Sequence, residues 1–453
     1  MHHVFLSQIF CNLLLCIKAL AGYKVLMHSF FSFRIFTGVI LFLSLSMLRA
    51  GERSEPTWWK GNLHTHSLWS DGDDYPEMIM DWYKSNGYDF AVLSDHNVIQ
   101  IGERWSNVAA NKGGTTAYEK YVERFGAEWV HSRIQEGKVQ VRLKPLSEYR
   151  PLFDEPGKFL IIQSQELTDR YLTAPIHINV THIREPIQPQ GGGSVLEVMQ
   201  NNINAILAQR ESTGQPLMSH INHPNFGWAI TAEEFMQLRG EKFFEVYNGH
   251  PSVHNEGDKT HASMERFWDI VLTWRLAVLD LPIMYGIATD DAHNYHEQRV
   301  GLSNAGRGWV MVRSRNLTPD HLVRAMEVGD FYASSGVSLS SIHHDSNGLK
   351  LRIRQEPDVS YTTYFIGTKQ DFDTSHEPLR AGDGNPVRVT HQYHESVGQV
   401  LAQVDGIAPS YTFKGDEIYV RAKIVSSKPM SNPYKAGETE CAWVQPVVVN
   451  SGK

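Results

Sequence analysis

The chain has 453 residues, of which 42% are hydrophobic, and a formal net charge of −8. That length supports two domains and a large buried core. The acidic balance excludes a surface that coats nucleic acid, which would be basic, so no stable nucleic-acid partner is expected.

In chain order, the first feature is the apolar run Ile35 to Met47, with Arg34 before it and Leu48-Arg49-Ala50 after it. Read from Met27, it has the length and order of a secretory signal with a small-residue end. The run is short for a membrane span, which needs ~20 apolar residues. The sequence therefore predicts a leader over 1–50, cleavage near Ala50, and an exported protein, periplasmic or extracellular, with no span in the mature chain. Either Met1 or Met27 serves as the start. Cys11 and Cys16 fall in this leader, which leaves Cys441 without a partner, so no disulfide is expected in the mature chain.

Next comes Gly61-Asn-Leu-His-Thr-His-Ser-Leu-Trp-Ser-Asp-Gly72. On a strand, His64 and His66 point to one face because Thr65 alternates with them. Asp71 follows a short turn marked by Ser70 and Gly72. Two imidazoles and a carboxylate at a strand end suit a divalent transition metal. Taken alone, such a pair is more often core or surface decoration, but ligand types recur at the ends of later apolar runs. Residues 88–97 end on Asp95 and His96, and 158–166 on Glu166. Residues 175–182 place His177 and Asn179 on one face, and 215–225 carry His220 and His223. Residues 243–248 present Glu245 and Asn248, and 282–293 end on Asp291 and His293. Short, nearly all-apolar runs are the mark of parallel strands buried on both faces.

Helical patterns alternate with these strands. Residues 76–86 carry Pro at the first turn and Gly87 after the end. Residues 194–211 precede Gly214, and 318–328 have Thr as cap, Pro next and Gly329 as stop. Strands alternating with helices, with functional groups at the strands' C-terminal ends, predict a (β/α) barrel with its site on that face.

The patterns His64-x-His66 with Ser70-Asp71-Gly72, Ser94-Asp95-His96-Asn97, Glu166, His177, His223-Pro224 and Asp291-x-His293 resemble the PHP (polymerase and histidinol phosphatase) superfamily. The resemblance covers about Trp58 to Val337. It implies a distorted (β/α)7 TIM-like barrel over 51–337, holding two or three divalent metal ions (Mn, Zn or Fe) for hydrolysis of phosphomonoesters or phosphodiesters. By the same resemblance, His64, His66, Glu166 and Asp291 hold one metal. Glu166 bridges to a second with His177 and His223, while Asp71, His96 and His293 hold a third. Asp71 after the His-x-His places the chain nearest to small phosphoesterases acting on nucleotides and short oligonucleotides, which makes a small phosphorylated molecule the expected substrate. Two departures bear on that substrate: Gln165 stands where many members have Gly, and Asn97 where nucleotide-active members often carry Asp.

Such a cluster suits an anionic ester, because metals screen its charge and lower the pKa of a bound water toward ~7. Asp71, His96, Glu166 and Asp291 are the expected catalytic centre. A side-chain nucleophile has no support: the mature chain lacks a Gly-x-Ser-x-Gly elbow, and its only cysteine is Cys441. Arg307 is a candidate phosphate grip, as is Arg299, although each residue equally suits an ion pair. His182 and His220 read as supporting or packing histidines. Asp95 and Asp290 either orient ligand imidazoles or serve the fold, and His250, His254 and His261 read as loop histidines. The same cluster also serves a hydrolase of non-phosphate esters or amides, or a catalytically silent envelope-binding protein.

After Gly336 the pattern changes to alternating β-type runs at 349–354, 361–366, 387–391, 400–404, 417–424 and 442–449, separated by turn-forming Asn-Gly and Lys-Gly-Asp groups. They predict a small antiparallel β-sandwich over 338–453.

Overall fold

The computed structural model describes residues 55–449. The leader over 1–50 and its cleavage point at Ala50 lie outside the described residues. No helix among the described residues is long and apolar enough to cross a membrane.

The apolar runs form the strands Thr57–Asn62, Phe90–Leu93, Leu160–Tyr171, Ala174–Thr181, Met218–Ile221, Phe243–Asn248 and Tyr285–Thr289. These lie side by side at one end of a 13-stranded mixed sheet. The ladders establish an α/β fold with a large mixed sheet and seven helices among the described residues. The ladders between these strands do not by themselves close the seven-stranded ring that the sequence predicts. Nor are the seven strands all parallel. Ala174–Thr181 pairs antiparallel with both Leu160–Tyr171 and Met218–Ile221. The cause is local: Leu172, with φ of 52°, turns the chain within two residues, which leaves no room for a crossover helix.

The helices that the sequence predicts form for the reasons it gives. Pro76–Ser85 starts on proline and buries Ile79, Met80 and Tyr83. Val195–Thr213 is capped by the Ser194 side chain and ends on left-handed Gly214, and Pro319–Glu327 is capped by Thr318. Met264–Ala277 is not legible as an amphipathic helix because Phe267, Trp268, Ile270, Val271 and Trp274 bury it on nearly every side. Between Phe90–Leu93 and Leu160–Tyr171 the chain makes a long excursion. It consists of the helices Gly114–Phe125 and Leu146–Phe153 and a small sheet of Arg104–Asn107, Lys138–Leu143 and Ser132–Gln135.

The sheet runs without a break across 337/338. Phe331–Ser334 pairs with Thr439–Val448, which pairs with Glu417–Pro429, and Tyr361–Lys369 follows. A second sheet of Leu339–Asp345, Gly348–Ile353 and Ser410–Thr412 packs against these strands through Leu351, Tyr411, Phe365, Val420 and Ile424. Residues 387–391 form no strand. Arg388 there instead donates to Trp228 O and Ala229 O and pairs with Glu234.

The C-terminal strands are tied to the helix Met264–Ala277 by a buried ion network. Asp269 Oδ1 accepts from Arg421 Nε at 2.7 Å and Tyr419 Oη at 2.8 Å, and Oδ2 accepts from Arg421 Nη2 at 2.7 Å. Breaking such a pair strands a buried guanidinium, so Asp269→Ala is expected to lower stability by about 3–5 kcal/mol, measured by urea unfolding.

Candidate metal centre

His64 and His66 lie just past the end of Thr57–Asn62, where Thr65 forms a parallel bridge to Ala292. His66 N–H donates to Ala292 O, and Asp291 N–H donates to His64 O. These two bonds set the His-x-His motif directly against the Asp-x-His motif, more than 200 residues away in sequence. Thr65 points the other way and donates to Val92 O at 2.6 Å, so the two imidazoles share a face, as their spacing predicts.

The imidazoles converge on Glu166, which is fully buried. Glu166 Oε2 lies 2.9 Å from His96 Nδ1 and 3.2 Å from His66 Nε2. Oε1 lies 3.0 Å from His177 Nδ1, 3.4 Å from His64 Nε2 and 3.8 Å from His223 Nε2. Asp291 Oδ1 is 3.2 Å from both His64 Nε2 and His66 Nε2, and these two nitrogens face each other at 3.1 Å. Asp71 Oδ1 is 3.3 Å from His293 Nε2 and 3.6 Å from both His66 Nδ1 and His96 Nε2. The structure thus gathers His64, His66, Asp71, His96, Glu166, His177, His223, Asp291 and His293 into one cluster.

The donor set fits divalent cations. Despite these short approaches, Glu166 Oε2 and His177 Nδ1 are buried without a hydrogen-bond partner. Ring nitrogens facing each other across a carboxylate are poorly served by protons and well served by a cation. Four overlapping groups among the described residues have the compactness to hold a cation: His66–Asp71–His96–His293, His64–His66–Glu166, His96–Glu166–His177 and His64–His220–Glu245. Electrostatics agree. Burial opposes ionisation of Glu166, yet His96, His177 and His64 hold its pKa well below the usual carboxylate range. Asp291, likewise buried, is held low by His64, His66 and His293. Burial and the neighbouring His293 push His66 down to about 4. Ionised carboxylates and a neutral His66 are forms that bind metal, whereas the same carboxylates overcome burial and raise the pKa values of His64, His96 and His293, so a cation there would displace protons.

Several supporting residues escape the sequence motifs. His64 Nδ1 lies 2.6 Å from Glu245 Oε1, which keeps the proton on that nitrogen and leaves Nε2 for the cluster. Glu245 also accepts from Thr289 Oγ1 at 2.7 Å, Asn248 Nδ2 at 2.8 Å and His223 N–H at 2.8 Å. It is a buried hub joining three strands' ends. Asn222 Nδ2 donates to Glu166 Oε1 at 2.7 Å, and Asn248 Nδ2 to Asp291 Oδ2 at 3.1 Å, which aims both carboxylates. His293 lies against its own motif, with Nδ1 2.9 Å from Asp291 O, so its Nε2 also faces the cluster. His250 packs edge-on to His293, with ring centroids 5.5 Å apart, and belongs to the site's wall. His220 is buried 3.5 Å from Glu245. His254 and His261 stack on Trp228 instead, with centroids at 4.5 and 3.7 Å. The only sequence signal for the hub was that Glu245 and Asn248 fall on one apolar run, which says nothing of what they would meet.

Two cluster residues carry left-handed backbone. Asp291 has φ of 48° and His223 of 22°, left-handed values that cost these residues roughly 1–3 kcal/mol each. Asn97, at φ 53°, exchanges side-chain hydrogen bonds with the Thr168 backbone at 2.9 Å in both directions. Gln165 does the same with Ile187, at 2.7 and 2.9 Å. Asn97 and Gln165 therefore each tie down neighbouring backbone.

Arg307 does not grip a ligand. It is fully buried, and its guanidinium donates to Gly249 O, Leu302 O, Arg299 O, Asn432 O and Pro433 O. These carbonyls and the side chains of Asn304 and Asn432 use its donors, so none is left for a phosphate. Arg299 pairs with Glu297 at 2.9 Å. Asp290 accepts from Tyr83 Oη and from the N–H groups of Gly306, Arg307 and Gly308, and Asp95 accepts from Ser67, Ser70 and Gln100. Both aspartates serve the fold. His182 lies 2.7 Å from Pro216 O, outside the cluster.

No family model matches the chain, and no curated protein matches it. Among solved structures it is similar to a two-domain protein from Bacteroides vulgatus ATCC 8482 that contains an inferred PHP-like metal-dependent phosphoesterase. Identity is 15% over 86% of this chain and 95% of that one, with a TM-score of 0.35. It is also similar to an inferred metal-dependent phosphoesterase from Bifidobacterium adolescentis ATCC 15703. There identity is 12% over 55% of this chain and 94% of that one, with a TM-score of 0.27. The chemistry is read from the cluster itself.

Glu245→Gln removes the charge beside His64 Nδ1 and turns one of two acceptor oxygens into a donor among groups that themselves donate. It is expected to weaken metal binding about 10–100-fold, read by competition with a chromophoric chelator.

Proposed function

We propose that this protein is a metal-dependent phosphoesterase acting on a small phosphorylated substrate. The observation that carries the reading is Glu166: one buried carboxylate that belongs to two compact ligand groups, His64–His66–Glu166 and His96–Glu166–His177. Adjacent divalent ions, when bound, screen a phosphoester's charge, activate water and hold the attacking and leaving oxygens in line.

The chain's own residues supply the rest. His64, His66, Glu166 and Asp291 form the dry floor. Asp71 and His96 are partly exposed, with 39% and 27% of their side chains accessible, and mark the side from which substrate arrives. His250 and His293 line that opening. Asn222, Asn248 and Glu245 keep the floor from rearranging between turnovers, because each already holds a carboxylate or imidazole in place.

Within this proposal, the seven strands from Thr57–Asn62 to Tyr285–Thr289 act as a distorted (β/α)7 barrel. The bonds between residues 64–66 and 291–292 join its first strand to its last. That reading is supported by the site's position, since His64, His66, Asp71, His96, His223, Asp291 and His293 lie beyond strand C-terminal ends, while Glu166 and His177 lie within the strands Leu160–Tyr171 and Ala174–Thr181. We also retain export, with cleavage near Ala50, and a division near 337 between hydrolase and β-rich part as proposals from sequence.

Manganese-loaded protein is expected to hydrolyse p-nitrophenyl phosphate or bis-p-nitrophenyl phosphate. Activity should vanish on chelation and return with metal, and Asp291→Asn should lower turnover by at least about 100-fold, as loss of a metal ligand does. Silence toward both esters in protein shown to carry manganese would sink the phosphoesterase reading. Turnover of matched acyl esters alone would replace it with a non-phosphate hydrolase.

A further inference from the structure

The cluster contains acids and imidazoles but, with Arg307 and Arg299 engaged elsewhere, no arginine to meet an oxyanion. One cation does reach it. Lys112 Nζ lies 3.2 Å from Asp71 Oδ2, while Asp71 Oδ1 faces His293, His66 and His96. Among the described residues, Lys112 is the only lysine or arginine paired with a carboxylate of the cluster. Asp71 therefore has one oxygen turned to the metal groups and one to an ammonium at the mouth.

Lys112 comes from the excursion between Phe90–Leu93 and Leu160–Tyr171, not from a strand that carries ligands. Its backbone is nonetheless fixed against them. Asn111 Oδ1 accepts from Gly114 N–H at 2.7 Å, and Asn111 Nδ2 donates to Ser106 Oγ at 3.0 Å. Gly113 presses so closely on the Asp71 loop that a Cβ there would meet Asp73 O at 2.1 Å. Two further cations of the same excursion touch the same rim: Arg104 lies 5.6 Å over the Trp69 ring, and Lys120 Nζ is 3.2 Å from His296 Nδ1. These cations sit beside the acids of the same loop, Asp71, Asp73 and Asp74.

A half-exposed ion pair contributes little to folding, so stability alone gives Lys112 no reason to be there. An ammonium has three donors, and Asp71 takes one. We propose that Lys112 binds the substrate: its free donors take a non-bridging phosphoryl oxygen at the Asp71 edge, and its charge offsets that of the incoming dianion. This inference rests on the phosphoesterase reading and adds the residue that recognises the anion.

The test compares wild type, Lys112→Ala and Lys112→Arg, each loaded with manganese. It reads bound metal, inorganic phosphate affinity by calorimetry, and KM and kcat for p-nitrophenyl phosphate. Removing a charged donor is expected to weaken phosphate binding and raise KM about tenfold in Lys112→Ala, with manganese content unchanged and much of the affinity restored in Lys112→Arg. Equal phosphate affinity in wild type and Lys112→Ala overturns the inference and leaves the phosphoesterase reading standing. Loss of manganese in Lys112→Ala also overturns it, because Lys112 would then only support Asp71. A wild-type protein that carries manganese yet neither binds phosphate nor hydrolyses either ester overturns both.

Discussion

The ligand cluster is arranged around one buried carboxylate, Glu166. Glu166 is surrounded by four imidazoles within 3.4 Å, yet Oε2 has no aligned donor. Burying such a charge without a counter-charge costs several kcal/mol. The cluster is stable only if a cation, or a set of displaced protons, sits among the rings. A chelated protein should therefore differ from a loaded one in stability as well as activity.

That demand explains the surrounding layer. Glu245 and His293's own motif carbonyl each occupy the Nδ1 side of an imidazole, so the Nε2 atoms of His64 and His293 face inward. Asn222 and Asn248 turn the two carboxylates, and left-handed backbone at Asp291 and His223 bends the chain to bring the ligands into range. Strain at Asp291 is offset by the bonds at Thr65–Ala292, and His223 is held by its N–H bond to Glu245.

The C-terminal strands carry no comparable ligand group among the described residues, but they brace the loops that do carry ligands. Arg388 holds the carbonyls of Trp228 and Ala229, a few residues past His223. Asn432 and Pro433 receive the guanidinium of Arg307, which also holds Gly249 beside His250. Tyr434 donates to Glu256 in the same loop. The Asp269–Arg421 network fixes the region that makes these contacts. A phosphate-gripping arginine expected from sequence is thus one of the bolts between the two halves.

The sequence by itself determined which residue types of ligand chemistry it offers, because a two-residue period and short apolar runs are local properties, but it ended one run at Glu166 where the strand continues to Tyr171. His64, His66, Glu166, Asp291 and His293 could be named that way, as could the helices opened by Pro76, Ser194 and Thr318. It misjudged Ala174–Thr181, since a buried strand reads alike whether its neighbours run parallel or antiparallel. It missed Met264–Ala277, since a helix buried on all sides has no polar face to reveal its period. Arg307 and Lys112 mark the limit most clearly: both are cations near motif residues in sequence or space, and residue type favours the arginine. Only the tertiary structure decided between them, because which carbonyls surround a guanidinium, and which excursion lays a lysine against Asp71, depends on segments tens to hundreds of residues apart. Local pattern fixes what a side chain offers. Long-range packing fixes what it meets.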